Sequence, residues 1–119
     1  MHDELAEDFE DILESLNLIL NRFAEIHQPD DLVNSPHGVL IFDSISMRLQ
    51  YIGEQLKNID KHNNGFLDKY SEINWNEIIR LRDLISHYYE DIDHEIIYNI
   101  CLNHIPNLKR VIEKIIKEN

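Results

Sequence analysis

Apolar side chains recur at steps of three and four over most of the chain, which is the spacing of one face of an α-helix. The first run predicts a helix over about residues 4–26, and the second predicts a helix over about residues 37–61. Residues 27–36 carry two prolines and paired aspartates, so they predict a loop between the two helices. The inward positions of the first helix are Leu5, Phe9, Ile12, Leu13, Leu16, Ile19, Leu20 and Phe23. Those of the second are Phe42, Ile45, Leu49, Ile52, Leu56 and Ile59.

Polar residues and prolines mark where the helices should begin. Ser35 followed by Pro36 predicts the start of the second helix. Asn74 has a glutamate three residues on, as in a capping box, and predicts a third helix through about His87. Asp93 can cap a fourth helix, which Pro106 must kink or restart because proline has no backbone donor. The third helix should bury Trp75, Ile78, Ile79 and Leu81, with Leu84 and Ile85 as further candidates. The fourth should bury Ile96, Ile97, Ile100 and Cys101. After Pro106 the apolar helical spacing continues through Leu108, Val111, Ile112, Ile115 and Ile116.

These elements predict an all-α fold, an antiparallel helical bundle of four to five helices. The length of 119 residues suits one domain over 1–119, and three glycines and three prolines leave few breaks. No apolar run is long enough to span a membrane, and the acidic start does not resemble a signal peptide. The single cysteine, Cys101, cannot form an internal disulfide and should be a small core residue. We therefore expect a cytoplasmic protein without a membrane partner.

Gly53 interrupts the second helix in its interior. A glycine there costs up to about 1 kcal/mol of helix stability relative to alanine. It indicates either that another helix approaches closely at this point or that the helix simply tolerates the glycine.

The formal net charge is −12, which argues against broad affinity for nucleic acid, since that affinity depends on lysine and arginine. Acidic residues crowd the first helix, where they could face a basic partner protein or simply form a solvated surface suited to a helix N-terminus. Basic residues come later, near residue 80 and at the C-terminus. The acidic residues are Asp3, Glu4, Glu7, Asp8, Glu10, Asp11 and Glu14, and the later basic ones include Arg80, Arg82, Lys109, Arg110, Lys114 and Lys117.

The stretch from Arg82 to Tyr89 carries the candidate chemistry. Arginine can clamp a phosphate with a planar fork of donors, and the pKa of histidine suits proton transfer near neutral pH. Arg82 and His87 are five residues apart, so on an ideal helix they point about 140° away from each other. Either the helix unwinds before His87, or a second copy of the chain completes the site across a symmetric dimer. We favour the dimer.

A structural interpretation of the same residues is also open. Arg82 would then be a surface arginine paired with an acid such as Asp83 or Glu77, and His87 would lie near the exposed carbonyls at a helix end. Tyr88 and Tyr89 would supply one buried and one interfacial ring.

The motif and its flanks resemble the HepT-like branch of the HEPN superfamily, the toxin half of bacterial and archaeal HEPN/MNT toxin–antitoxin pairs. The superfamily hallmark is an arginine, a polar residue directly after it, and a histidine a few residues on, which Arg82, Asp83 and His87 match. The branch extends the hallmark to His-x-Tyr, matched here through Tyr89. The flanking matches, which cover nearly the whole chain in order, are Arg48-Leu49 with Ile52-Gly53-Glu54, Ile73-Asn74-Trp75 with asparagine where proline is usual, Asp91-Ile92-Asp93, and Ile105-Pro106-Asn107-Leu108.

The resemblance implies a metal-independent endoribonuclease that acts as a homodimer on RNA such as tRNA or mRNA, with no cofactor. It implies that Arg82 holds the scissile phosphate, that His87 is a general acid or base, and that Asp83 orients one of the two. It further implies a type VII-like toxin–antitoxin pair, whose minimal nucleotidyltransferase antitoxin binds the toxin or adds AMP to Tyr89, with Tyr88 as the neighbouring candidate. The alternative is a catalytically silent helical module that mainly docks such a nucleotidyltransferase, which the acidic charge favours.

Overall fold

The computed structural model describes residues 3–119. Over that range the chain forms five α-helices and no β-strand, which confirms the predicted all-α helical bundle. The helices are α1 (Asp3–Phe23), α2 (Pro36–His62), α3 (Trp75–Tyr88), α4 (His94–Asn103) and α5 (Ile105–Glu118). Short 3₁₀ turns lie at Pro29–Leu32, Leu67–Lys69 and Tyr89–Asp91.

The three predicted caps are present at the starts of α2, α3 and α4. The Ser35 hydroxyl accepts a hydrogen bond from the backbone N–H three residues on at 2.9 Å, with Pro36 as the first helical residue. Asn74 Oδ1 accepts from the N–H three residues on at 3.2 Å, and Asp93 Oδ1 from the N–H two residues on at 2.8 Å. Each cap satisfies a backbone donor that has no partner inside the helix, and so it fixes where that helix begins.

Helix α1 ends at Phe23, three residues before the predicted end. The N–H of Ala24 still bonds to the carbonyl of Leu20 at 3.1 Å, but that of Ile26 bonds to the carbonyl of Phe23 at 2.9 Å. The last turn is therefore tightened to the three-residue spacing that is frequent at helix ends. Ile26 stays buried in the core although it lies beyond the helix.

Pro106 separates α4 from α5, as the sequence predicts. The His104 N–H bonds to the carbonyl of Ile100 at 2.9 Å, and the Leu108 N–H bonds to the carbonyl of His104 at 3.0 Å. Between these two bonds Pro106 has no donor to offer, so the helix restarts instead of running on.

The hydrophobic core forms where α2 and α5 pack on α1, and α3 packs on the other side of α2. Most of the positions predicted to face inward are buried. Cys101 is one of them, and burial raises the pKa of its thiol to about 12. The prediction is wrong for Leu84 and Ile96, which are 43% and 49% exposed. Leu84 lies about 200° around α3 from Arg82, which faces α2, so its side chain points away from the bundle. In α4 the buried face passes through Ile97 and Cys101, which leaves Ile96 outside it.

No helix within residues 3–119 combines the length and the apolar character that a membrane span would need.

Candidate active site on helix α3

The four residues singled out from the sequence are spread over the C-terminal half of α3 and the turn after it. Arg82, Asp83 and His87 belong to the helix, and Tyr89 is the first residue of the 3₁₀ turn after it. The helix stays regular through Tyr88, so it does not unwind before His87, and that alternative is wrong. On this regular helix Arg82 and His87 point about 140° apart within one chain.

Two carboxylates hold the guanidinium of Arg82. Its Nε lies 2.5 Å from Oε2 of Glu54 in α2, and its Nη1 donates to Oδ1 of Asp83 at 2.6 Å. Asp83 thus contacts Arg82, one of the two partners that the sequence left open. The hydrogen bond to Asp83, together with the charge of Glu54, holds the pKa of Arg82 above its ordinary value. Arg82 therefore stays charged, and its plane is fixed from two sides.

One edge of the Arg82 guanidinium is still available. The ion pairs use Nε and Nη1, while Nη2 forms no hydrogen bond or ion pair within residues 3–119, and the side chain is partly exposed. Nη2 can therefore donate to an anion such as a phosphate. Glu54 and Asp83 together outweigh the single positive charge of Arg82, so a phosphate that binds here also meets local repulsion.

Gly53 lets α3 approach α2 closely at this point. A Cβ atom on Gly53 would overlap the Cβ of Arg82 and would lie 3.1 Å from the carbonyl oxygen of Ile78. Of the two interpretations of this glycine, close approach of another helix is therefore correct. Because α2 and α3 lie this near, Glu54, the next residue along α2, reaches the Arg82 side chain.

Two more hydrogen bonds join α2 to the end of α3. Gln50 Nε2 donates to the Ser86 hydroxyl at 2.8 Å, and the Tyr89 hydroxyl donates to Oδ1 of Asp43 at 2.6 Å. Asp43, Gln50 and Glu54 are seven and four residues apart, so they lie along one side of α2, and we call them the α2 polar stripe. The residue numbers of the bonded partners run in opposite directions, from 54 down to 43 on the α2 side and from 82 up to 89 on the α3 side. The two helices are therefore antiparallel.

The histidine and the two tyrosines have different surroundings. His87 is exposed, and its side chain makes no hydrogen bond within residues 3–119. Tyr88 and Tyr89 are 59% and 49% exposed, so neither ring is the buried one that the structural interpretation expects. Hydrogen bonding to Asp43 raises the pKa of Tyr89, which therefore keeps its hydroxyl proton near neutral pH.

Sequence reasoning did not assign Asp43, Gln50, Glu54 or Ser86 to the site. Glu54 had a signal, since it belongs to the family-like stretch that contains Gly53. Ser86 lies within the stretch from Arg82 to Tyr89 but was given no role. Asp43 and Gln50 had no signal, because a polar residue on a helix surface looks the same whether or not a neighbouring helix bonds to it. Within the described range, no group of three or more His, Cys, Asp and Glu side chains is arranged to hold a metal ion.

Comparisons with known proteins show the family of the chain. The family model described as "Ribonuclease HepT-like" matches residues 9–115. A Thermococcus cleftensis protein named probable ribonuclease HepT is 33% identical over 108 residues, which are 91% of this chain and 92% of that protein. A candidate RNase of Caldanaerobacter subterraneus is 29% identical over 109 residues, 92% of this chain and 91% of the relative. No solved structure matches the chain.

Some relatives are longer than this chain. A candidate RNase of Methanocaldococcus jannaschii is 41% identical over 70 residues, which are 59% of this chain and 55% of the relative. The chain spans about half the length of this relative and of one other from the same organism. The match of the family model covers most of the chain, from the second turn of α1 to the last turn of α5, and its range includes the residues of the α3 motif. The chain therefore belongs to the HepT-like ribonuclease family.

Proposed function

We propose that this protein is a metal-independent endoribonuclease in which Arg82 and His87 cleave RNA at a cleft between two copies of the chain. Arg82 binds the scissile phosphate through Nη2 and stabilises the charge that develops on it. His87 transfers the proton between the ribose 2′-hydroxyl and the leaving oxygen. The 2′-oxygen bonds to phosphorus and the P–O5′ bond breaks, so the products are a 2′,3′-cyclic phosphate and a 5′-hydroxyl. Asp83 orients Arg82 through the bond at 2.6 Å.

The observation that carries the proposal is the regular course of α3 through His87. Since Arg82 and His87 diverge by about 140° on this helix, one chain alone does not direct both at the same phosphate. A two-fold axis beside α3 supplies the missing partner, because each arginine can then face the histidine of the other copy. Leu40 and Met47, which share the side of α2 that carries the polar stripe, are exposed and apolar, and they offer this dimer a surface to bury.

The test is cleavage of purified total tRNA and of mRNA in the presence of a chelator. The wild-type protein should produce fragments that end in a cyclic phosphate, and His87→Ala should not. Absence of cleavage above the His87→Ala background on every RNA tried would reject the nuclease.

We propose a cytoplasmic toxin role for this activity, with a minimal nucleotidyltransferase as the antitoxin that binds the toxin or adds AMP to Tyr89. Both tyrosine rings are about half exposed, so an enzyme can reach either of them. An AMP group adds negative charge and bulk two residues from His87, and it would repel RNA. Mass spectrometry after co-expression with a nucleotidyltransferase encoded beside this chain should place the added mass on Tyr89. Modification of Tyr88 alone would contradict the assignment, and so would an unmodified toxin beside an active partner.

A silent docking module is the second candidate, and one observation favours it. Glu54 and Asp83 already occupy two sides of Arg82 in a chain whose net charge is −12. In that case Arg82 only forms structural ion pairs with Glu54 and Asp83, and the negative charge of the protein repels RNA. The cleavage assay distinguishes the two proposed functions, because a silent docking module cleaves no RNA although it binds a nucleotidyltransferase.

A further inference from the structure

We propose that Asp43 is a positioning residue for His87 and that it acts through its hydrogen bond to Tyr89. This inference rests on the proposed ribonuclease, in which His87 is the proton-transfer group. Asp43 lies in α2, far from His87 in sequence, and it belongs to no motif that the sequence displays.

The segment that carries His87 has almost no hydrophobic anchoring. Ile85 is the last buried residue of α3, with 1% of its surface exposed. The six residues that follow, 86–91, are all exposed, and the 3₁₀ turn among them contains no buried residue. Hydrophobic packing therefore does not fix the place of the His87 backbone.

Two side-chain hydrogen bonds fasten this segment to α2, one on each side of His87. Ser86 accepts from Gln50 at 2.8 Å, and Tyr89 donates to Asp43 at 2.6 Å. Gln50 and Asp43 are two turns apart on one side of the same long helix, so they form a rigid base for both bonds. The bond to Asp43 has a charged acceptor and is the shorter of the two, which makes it the stronger attachment.

Loss of the Asp43 bond leaves the bond at Ser86 as the one side-chain hydrogen bond between residues 86–91 and the rest of the described chain. The next hydrophobic contact on the C-terminal side is Ile92, five residues beyond His87. The last turn can then fray, and the imidazole spends less time in the position that proton transfer needs. The same reasoning applies to modification of Tyr89. A group on the Tyr89 oxygen replaces the hydroxyl hydrogen that Tyr89 donates to Asp43, so modification and the Asp43 bond exclude each other.

The activity test is a double-mutant cycle on RNA cleavage with Asp43→Ala, Tyr89→Phe and the double variant. Each single change should lower kcat by about three- to tenfold with little change in KM, as expected for one lost hydrogen bond. The double variant should be no worse than either single one, because both remove the same bond. Asp43→Asn keeps an acceptor oxygen and should restore most of the rate.

Two matched controls remove similar bonds elsewhere. Tyr98→Phe removes the bond from the Tyr98 hydroxyl to the carbonyl of His27, and Asp30→Ala removes the bond between Asp30 and His94. Both should leave kcat unchanged. Equal loss of kcat in these controls would mean that the effect is one of general stability, and it would overturn the proposal.

Hydrogen exchange gives a readout that needs no activity. Asp43→Ala and Tyr89→Phe should speed exchange in the peptide that spans residues 84–92, and Tyr98→Phe should not. If the wild-type protein cleaves no RNA while exchange rises as expected, the nuclease fails and the Asp43 attachment stands. Unchanged exchange in both variants would show that Asp43 does not hold the turn, and strict additivity of the two changes in kcat would show that it does not act through Tyr89.

Discussion

Gly53 in α2 faces Arg82 in α3 so closely that a side chain on Gly53 would overlap the Cβ of Arg82. This contact sets the distance between the two helices at the point where Glu54 meets the guanidinium. The close approach also lets Gln50 and Asp43 reach the end of α3. The glycine therefore belongs to the support of the site as much as the charged residues do.

Gly53→Ala should destabilise the protein although alanine is the better helix former. The gain in helix propensity is at most about 1 kcal/mol, whereas overpacking against a neighbouring helix costs about 1–3 kcal/mol. We expect a net loss of about 1 kcal/mol in the free energy of unfolding in urea. Glu10→Ala, at an exposed position of α1, is the control and should stay within about 0.5 kcal/mol of wild type. A Gly53→Ala protein more stable than wild type would contradict the close contact.

Glu54→Gln should affect binding and catalysis in opposite directions. Removal of one negative charge beside Arg82 should tighten RNA binding and lower KM by about two- to threefold, a small effect because Glu54 is partly exposed. Without the Glu54 carboxylate at Nε, the Arg82 guanidinium is held less firmly in the position that the phosphate needs. This should lower kcat by about tenfold. Glu77→Gln, an exposed acid in the first turn of α3, should change neither constant. Steady-state kinetics of RNA cleavage measure both constants. Unchanged kcat and KM for Glu54→Gln would reject the role of Glu54 in holding Arg82.

The sequence predicted the helices well because their boundaries depend on local chemistry. Ser35, Asn74 and Asp93 cap helices through backbone groups only a few residues away, and Pro106 breaks one by lacking a donor. The site was only partly predictable. Arg82, Asp83 and His87 stand within one short motif. The α2 residues that contact Arg82, Ser86 and Tyr89 are distant in sequence and reach them only after the helices have packed.

Met47→Glu should convert the proposed dimer into a monomer. Met47 is 63% exposed and lies between Asp43 and Gln50 along α2, on the surface that we assign to the dimer. A charge buried there without a partner costs several kcal/mol. Leu102→Glu is the matched control, because Leu102 is 52% exposed on α4, away from the polar stripe. Light scattering at micromolar concentration should show a monomer only for Met47→Glu. A wild-type monomer would reject the interface, and so would a dimer that persists in Met47→Glu.

Asp8→Asn should stabilise the protein near neutral pH. Partial burial in α1, together with the charges of Glu4, Asp11 and Glu7, raises the pKa of Asp8 above 3.8. A group whose pKa is raised on folding favours the folded state when protonated, and this contribution is lost as pH rises through the folded pKa. The urea midpoint of Asp8→Asn should therefore exceed that of wild type near neutral pH, and the difference should shrink below about pH 4. A gain for Asp8→Asn that grows as pH falls would contradict the sign.

Subunit mixing tests most directly the proposal that Arg82 and His87 share a cleft between two copies of the chain. Arg82→Ala and His87→Ala should each be inactive, and the two should be unfolded and refolded together so that subunits exchange. Half of the randomly formed dimers are hybrids, and each hybrid holds one complete Arg82–His87 pair out of two, so about a quarter of wild-type cleavage should return. A mixture no more active than either variant alone, beside an active wild type treated in the same way, would contradict catalysis across the dimer.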